Sequence, residues 1–273
     1  MTWPQLEMIG QVRRLAEDDP RLSAVLMYGS FIKGEGDQYS DIEFYLFYER
    51  PLDHLEWVGG LRPVEMFFKN EHGTEVAVFD NLVRGEFHFL PAGEIGVVKS
   101  WEGLTSFEYA EEMILVDKAG ALREALDGIS RQRPRHDRPE SVQWLAESLI
   151  NDLIMTANLI RRGEAAHAQA AFQPLLKYLL WLMRLADGAD NHWESPTKRL
   201  EAELSPGWYE IYTACVPTAD LSTLTAAHNQ AAGAARRLLT LLRAPAALSA
   251  LLDRLPPLSP ELGLADCQHT ETP

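Results

Sequence analysis

Two carboxylates and a glycine-serine pair stand close together near the start of the chain. Asp41 and Glu43 flank Ile42 where an apolar run begins, and Gly29-Ser30 ends the preceding apolar run. Side chains alternate along a strand, so Asp41 and Glu43 should project from one face, about 7 Å apart. They repel each other unless a cation lies between them, and Mg²⁺ prefers such oxygen ligands. The pattern therefore predicts a magnesium site.

The turn between the two apolar runs is suited to holding phosphate groups. Gly29 allows a close backbone approach, and the Ser30 hydroxyl and nearby N–H groups can bind phosphate oxygens. Lys33 can reach the same phosphates, and Gly34 and Gly36 make the turn glycine-rich. Metal ions shared between the carboxylates and a triphosphate would neutralise charge that develops during in-line displacement. The expected chemistry is therefore transfer of a phosphorus-containing group.

Short apolar runs with turn-like separators surround this segment. Residues 4–18 have apolar side chains at helical spacing. The predicted strands that follow are Leu22–Tyr28, Ile42–Tyr48, Val64–Phe68, Glu75–Phe79, Gly85–Leu90 and Met113–Val116. Short strands with tight connections predict a mostly antiparallel or mixed sheet rather than a regular series of βαβ units.

The pattern changes after Gly120, where strand signals cease. A polar, proline-marked segment at residues 131–139 predicts a linker. Three amphipathic helices are predicted beyond it, and they imply a small bundle; they run from Val142 to Arg162, from Glu164 to Ala186 and from Leu221 to Leu242.

The predicted fold class is therefore α+β, a mixed-sheet domain followed by an α-helical bundle. We place the first domain at residues 1–130, the helical domain at 139–255 and a flexible tail at 256–273. We expect the active site in the cleft between the two domains, because ligand sites favour domain interfaces.

Composition limits the partners. The net charge is -15, with 40 acidic and 25 basic residues. Nucleic-acid binding needs basic residues, so this balance argues against it and suits a cationic small molecule, although acidity also serves solubility. No apolar run reaches the roughly 18 residues of a membrane span, and no secretory signal is visible. Cys215 and Cys267 are far apart, so we expect a reduced, cytoplasmic protein.

The motif carries a family resemblance. Gly29-Ser30, a spacer, and Asp41-x-Glu43 resemble the motif of the DNA polymerase β-like nucleotidyltransferase superfamily. The strings Tyr-Ser-Asp-Ile-Glu-Phe-Tyr and Arg-Gly-Glu-Phe-His-Phe, followed by a helical half, look like the lincosamide nucleotidyltransferases. The motif-bearing resemblance covers about residues 20–120, and the helical remainder agrees in kind only.

This resemblance implies a reaction and its cofactors. Such enzymes move a nucleoside monophosphate from ATP or another NTP to a hydroxyl of lincomycin or clindamycin, releasing pyrophosphate. Mg²⁺, expected as two ions, would be held by Asp41, Glu43 and a third carboxylate. The nucleotide would contact Gly29, Ser30, Lys33 and Ser40, and, by analogy with related helical domains, Lys177.

The third carboxylate is expected on a later strand, beside the first two. Glu86 is our choice, because Gly85 permits close approach of a ligand or backbone; it would be a metal ligand, the general base, or both. Glu75 is the competitor, and we expect it on a solvated face. Lys177 can also be explained as a lysine that extends from an apolar helix face to solvent. Helix-borne aromatics form either a drug pocket or core: Trp144, Trp181, Trp193, Trp208 and Tyr209.

Two further functions remain open. An aminoglycoside nucleotidyltransferase would use the same metal and nucleotide site on a different cationic acceptor. A non-catalytic nucleotide-binding module of toxin-antitoxin type would not need the carboxylates, and this chain retains Asp41 and Glu43. Drug-dependent release of pyrophosphate distinguishes the enzymes from the module.

Overall fold

The computed structural model describes residues 3–102, 107–132 and 134–259. Contacts between Cα atoms divide the chain into two units, with the boundary between Pro134 and Arg135. The first unit contains a mixed sheet and the second is helical, which confirms the predicted α+β class. In the described ranges, no helix combines the length and the apolar character that crossing a membrane requires.

The first unit is built on a six-stranded sheet. Its strands are β1 (Leu22–Met27), β2 (Ile42–Tyr48), β3 (Val64–Lys69), β4 (Glu75–Phe79), β5 (Arg84–Pro91) and β6 (Ile114–Asp117). Their order is β3-β4-β5-β2-β1-β6, so β2 and β5 lie at the centre. Of the described strand pairs, β2–β5 is parallel and the others are antiparallel.

Helices cover both faces of the sheet. Those of the first unit are α1 (Pro4–Asp18), α2 (His54–Gly59), α3 (Ala110–Met113) and α4 (Ala121–Asp127), with a 3₁₀ helix at Ala92–Trp101. Proline at the first turn of α1 lacks the N–H that a helix start leaves unpaired, and Met8, Val12 and Ala16 form its buried stripe. On one face α1 and α2 pack against residues such as Ile42 and Phe44. On the other face the 3₁₀ helix and α4 complete a second apolar cluster.

The second unit consists of helices around its own core. Its elements are α5 (Pro139–Arg161), α6 (Ala165–Asp187), α7 (Leu200–Glu203), α8 (Pro206–Ala214), α9 (Leu221–Leu241) and α10 (Ala246–Asp253), with a 3₁₀ helix at Asp190–His192. Gly188 ends α6 in the left-handed conformation that a helix C-cap favours. Asp220 begins α9 by accepting hydrogen bonds from the N–H groups of Ser222 and Thr223.

One detail differs from expectation. The predicted flexible tail began at residue 256, yet Leu258 is buried and exchanges two hydrogen bonds with the Asn229 side chain. The ordered helical unit therefore reaches at least residue 258. The rest of the predicted tail, residues 260–273, lies outside the described residues.

Candidate functional site

Two glutamates lie opposite each other near the start of the central parallel strands. In the β2–β5 register, Glu43 lies opposite Glu86, and Tyr45 lies opposite His88. Opposite residues share a face of the sheet, so these four side chains project together. Asp41 precedes β2 by one residue and lies at the same end. The structure thus places the three acidic residues that the sequence singled out at the same end of the two central strands.

Gly29 lies directly against the Glu43 carboxylate. Its φ is +82°, a backbone conformation that residues other than glycine rarely adopt. A Cβ at this position would lie 1.5 Å from Oε2 of Glu43. The sequence analysis explained Gly29 by the close approach of a phosphate. The structure gives a second reason, because the absence of a side chain on Gly29 leaves space for the Glu43 carboxylate.

An arginine that sequence reasoning missed joins two of the acidic residues. Arg84, the first residue of β5, donates from Nη1 to Oδ2 of Asp41 at 2.5 Å and from Nη2 to Oε1 of Glu86. Because side chains alternate between the two faces of a strand, residues 84 and 86 lie on the same face of β5. The available signal was the position of Arg84 two residues before Glu86, but an arginine at a strand start usually indicates a solvated end.

The other oxygen of Glu86 is held by aromatic neighbours. The Tyr28 hydroxyl donates to Oε2 of Glu86 at 3.2 Å and lies 3.0 Å from Nε2 of His88. Burial raises the pKa of Tyr28 above its usual range, and the charges of Glu43 and Glu86 raise it further, so the hydroxyl stays protonated. Burial also lowers the pKa of His88, which favours a neutral ring. The Tyr45 ring stacks on His88 with centroids 4.1 Å apart.

The loop between β1 and β2 is fixed from α1. The Gln5 amide, buried in α1, donates to the carbonyls of Gln38 and Ser40 at 2.9 and 3.0 Å. The Ser40 hydroxyl donates to Oδ1 of Asp37 within the turn and accepts from the Asp37 N–H, so a hydrogen bond donated to a nucleotide phosphate would replace the one to Oδ1. Ser30 accepts a backbone hydrogen bond from Glu35, and Lys33 lies half-buried in the same turn. Their nucleotide contacts stay predictions.

The expectation that Glu75 lies on a solvated face of the sheet is wrong. It lies opposite Phe87 in the β4–β5 register, so it projects from the face opposite to Glu86. Its carboxylate contacts Nδ1 of His54 at 2.8 Å, and the side chain is 14% exposed. The reason given for Gly85 also changes. A Cβ at Gly85 would lie 2.7 Å from the Phe87 ring, so packing on the apolar face explains this glycine.

The predicted residues of the helical unit make contacts within that unit, and the nucleotide contact of Lys177 stays a prediction. Lys177 is exposed on α6, with its ammonium 5.6 and 5.1 Å from the ring centroids of Tyr178 and Trp181. Of the helix-borne aromatics, Trp208 is buried core and Trp144 is 54% exposed. The rest pack partly buried against the core: Trp181, Trp193 and Tyr209. Trp193 was predicted on a helix but lies just after the 3₁₀ helix at Asp190–His192. A groove of about 390 Å³ on α6 is lined by residues such as Phe172 and Val216 and contains none of these aromatics.

The donor atoms at the sheet site fit a hard divalent cation. Asp41, Glu43 and Glu86 offer carboxylate oxygens, the ligands that Mg²⁺ prefers. Among the described residues, however, no group of three ligand side chains is gathered closely enough to form a ready-made metal site. The guanidinium of Arg84 bonds to both Asp41 and Glu86 and therefore occupies the space between them. The ligand types fit, and their convergence requires Arg84 to move.

Comparison with known proteins gives one family match. No curated protein sequence matches the chain. Among solved structures, an aminoglycoside 6-adenyltransferase from Bacillus subtilis is similar with a TM-score of 0.39 and 11% identity, over 96% of this chain and 95% of that one. A nucleotidyltransferase-like protein from Exiguobacterium sibiricum has a TM-score of 0.39 and 16% identity, over 90% and 78%. Similarity at this level does not identify a substrate.

The family match falls on the helical unit. Residues 138–255 match the model described as "Lincosamide nucleotidyltransferase-like, C-terminal domain". This range includes α5 to α10, the whole set of helices that forms the second core. The helical unit of this chain is therefore similar to the C-terminal domain of the lincosamide nucleotidyltransferase-like proteins.

Proposed function

We propose that the chain transfers a nucleoside monophosphate from an NTP, preferably ATP, to a hydroxyl of a lincosamide. The observation that carries this proposal is the pairing of Glu43 with Glu86 on adjacent parallel strands, with Asp41 at the same end and Gly29 against Glu43. The family description of residues 138–255 supports the choice of a lincosamide acceptor.

The reaction assigns a task to each residue. The acceptor hydroxyl oxygen forms a bond to the α-phosphorus, the bond from that phosphorus to the bridging oxygen breaks, and pyrophosphate leaves. Asp41, Glu43 and Glu86 would hold Mg²⁺, expected as two ions, which neutralises charge on the phosphates when bound. Glu86 would take the hydroxyl proton as general base, and the Tyr28 hydroxyl, which donates to Oε2 of Glu86, would orient that oxygen.

The remaining predicted residues would hold the nucleotide. Gly29 and Ser30 begin the turn after β1, where backbone N–H groups can bind phosphate oxygens. Lys33 follows in that turn, and Ser40 lies at its end. Lys177 would add a positive charge from the helical unit. These roles are proposals that substitution and nucleotide binding can test one residue at a time.

The test is a matched screen of acceptors. The full chain would be incubated with Mg²⁺ and each of the four common NTPs, alone and with lincomycin, clindamycin or kanamycin. We expect lincomycin and clindamycin to gain the mass of one nucleoside monophosphate, with an equal amount of pyrophosphate. Modification of kanamycin alone would make the acceptor an aminoglycoside. Failure to modify any drug, with nucleotide still bound, would favour the non-catalytic module.

A further inference from the structure

Arg84 places a cation among the candidate metal ligands. Its two terminal nitrogens bond to different carboxylates, Asp41 and Glu86. The side chain is 44% exposed, against 32% for Asp41 and 21% for Glu86. Neighbouring carboxylates repel each other when both are ionised. Arg84 therefore offsets the repulsion between these two carboxylates.

Oδ2 of Asp41 and Oε1 of Glu86 cannot bind Arg84 and a divalent cation at the same time. A metal shared by Asp41 and Glu86 would lie where the guanidinium now lies, and two cations at one position repel strongly. Arginine keeps its charge at any ordinary pH, so it cannot yield the position by losing a proton. It can only move away, which its exposed side chain permits.

A displaced Arg84 would stay at the end of the sheet where the nucleotide is proposed to bind. Its Cα is fixed at the start of β5, two residues before Glu86 and at the sheet end where the turn after β1 also lies. A guanidinium can donate two parallel hydrogen bonds to a phosphate, which makes arginine a favoured phosphate ligand. Triphosphate bound beside the carboxylates would offer new partners in place of Asp41 and Glu86.

We propose that Arg84 is an exchangeable counter-ion: it neutralises Asp41 and Glu86 in the empty site, and it binds the nucleotide phosphates after a divalent cation takes its place. The inference rests on the proposed function, since it assumes the metal and the NTP. It makes metal and nucleotide binding interdependent through one side chain. A permanent structural ion pair would have no such effect.

The experiment measures binding rather than turnover. Mn²⁺ binding to the full chain would be followed by electron paramagnetic resonance without nucleotide. Binding of a non-hydrolysable α,β-methylene ATP analogue would then be measured at saturating Mn²⁺. The variants are Arg84→Met, which keeps the length of the side chain, and Arg84→Lys, which keeps the charge. Arg62→Met is the control, because Arg62 pairs with Asp80 outside the site.

The proposal predicts opposite changes in the two affinities. Arg84→Met should bind Mn²⁺ about tenfold more tightly and the analogue about tenfold more weakly, the scale of one charge-assisted pair. Both affinities of Arg84→Lys should lie between those of Arg84→Met and the parent. Both affinities of Arg62→Met should equal those of the parent. Unchanged or weaker Mn²⁺ binding in Arg84→Met, or unchanged analogue binding, would overturn the exchange. Absence of Mn²⁺ binding in the parent and every variant would instead overturn the proposed metal-dependent function.

Discussion

The Glu43 carboxylate occupies the space that a side chain on Gly29 would need, with Oε2 only 1.5 Å from the Cβ position. Gly29→Ala must therefore displace either the turn or a candidate metal ligand. Positive φ adds a cost of roughly 1–2 kcal/mol for any L side chain. We expect the variant to fold with that loss of stability and to lose most nucleotide binding and turnover.

Gly34 provides the matched control for this change. It also has a positive φ, +69°, but nothing lies within 4 Å of a Cβ built on it. Gly34→Ala should therefore lose similar stability in urea unfolding and keep most of its activity. Equal activity in the two variants would show that the contact between Gly29 and Glu43 has no role in the reaction.

Asp41→Asn and Glu43→Gln test the proposed metal ligands. Each keeps the size of the side chain and removes a charge, so kcat should fall about 10²-fold or more, the scale of a lost transition-state electrostatic group. Mn²⁺ affinity should fall with it, while circular dichroism stays unchanged. Glu71→Gln makes a similar change on an 82% exposed side chain in the β3–β4 turn and should be silent. Near-normal turnover of either ligand variant at saturating Mg²⁺ would reject the assignment.

Glu86→Gln and Glu75→Gln compare two glutamates on opposite faces of neighbouring strands. We expect Glu86→Gln to lower kcat steeply, because a carboxamide accepts a proton poorly and neutralises less metal charge. Glu75→Gln should leave kcat near the parent value and lower stability slightly, because it weakens the contact with His54. The assignment fails if Glu75→Gln is inactive and Glu86→Gln works normally. If both variants are active, a base from the helical half becomes the next candidate, with Asp152 and Glu147 first.

The buried imidazole of His228 should make stability depend on pH. It is 1% exposed, and its Nε2–H donates to the Leu153 carbonyl at 2.9 Å. Burial lowers its pKa below the ordinary 6.5, and the nearby charges of Arg161 and Arg236 lower it further. Below pH 6.5 the unfolded chain therefore binds more protons than the folded chain. The free energy of unfolding falls as the pH falls from 6.5 towards the folded pKa.

Urea unfolding between pH 8 and pH 5 would measure this dependence. His228→Gln keeps a donor for the Leu153 carbonyl but does not titrate, so its free energy of unfolding should change less with pH than that of the parent. His167→Gln is the control, because the His167 side chain is 67% exposed. Identical slopes for the parent and His228→Gln would contradict the prediction.

The long and regular elements were predictable from residue pattern. Strands Ile42–Tyr48 and Glu75–Phe79 and helix Pro4–Asp18 match their predicted ranges, because alternation or helical spacing runs their full length. Short helices were missed, such as α8 (Pro206–Ala214), whose first residues, Pro206-Gly207, suggest a turn. The spacing of Asp41 and Glu43 singled them out before any fold was known, whereas Glu86 was chosen because the family resemblance implies a third carboxylate on a later strand. Their roles stay predictions.

Contacts between distant residues could not be predicted in the same way. The face of the sheet on which Glu75 lies depends on its register with Phe87, and that register is set by the pairing of β4 with β5. Arg84 bonds to Asp41, 43 positions away, and no local pattern indicates such a partner. Gln5 likewise fixes a loop more than 30 residues away. These relationships are tertiary, and they determine the electrostatics of the site.

The opposite ends of the β3–β4 hairpin offer different freedom for protein engineering. In the antiparallel β4–β5 register, Val78 lies beside Arg84, whereas Glu75 lies beside Phe87, further along β5 from the acidic cluster. The turn before Glu75 therefore projects from the far end of the sheet, and a Cβ on its Gly73 would meet nothing within 4 Å. A fluorescent label or short epitope inserted in this turn should allow the protein to be detected and leave its turnover unchanged. The same insertion after Phe79 would shift the start of β5 and the arginine it carries.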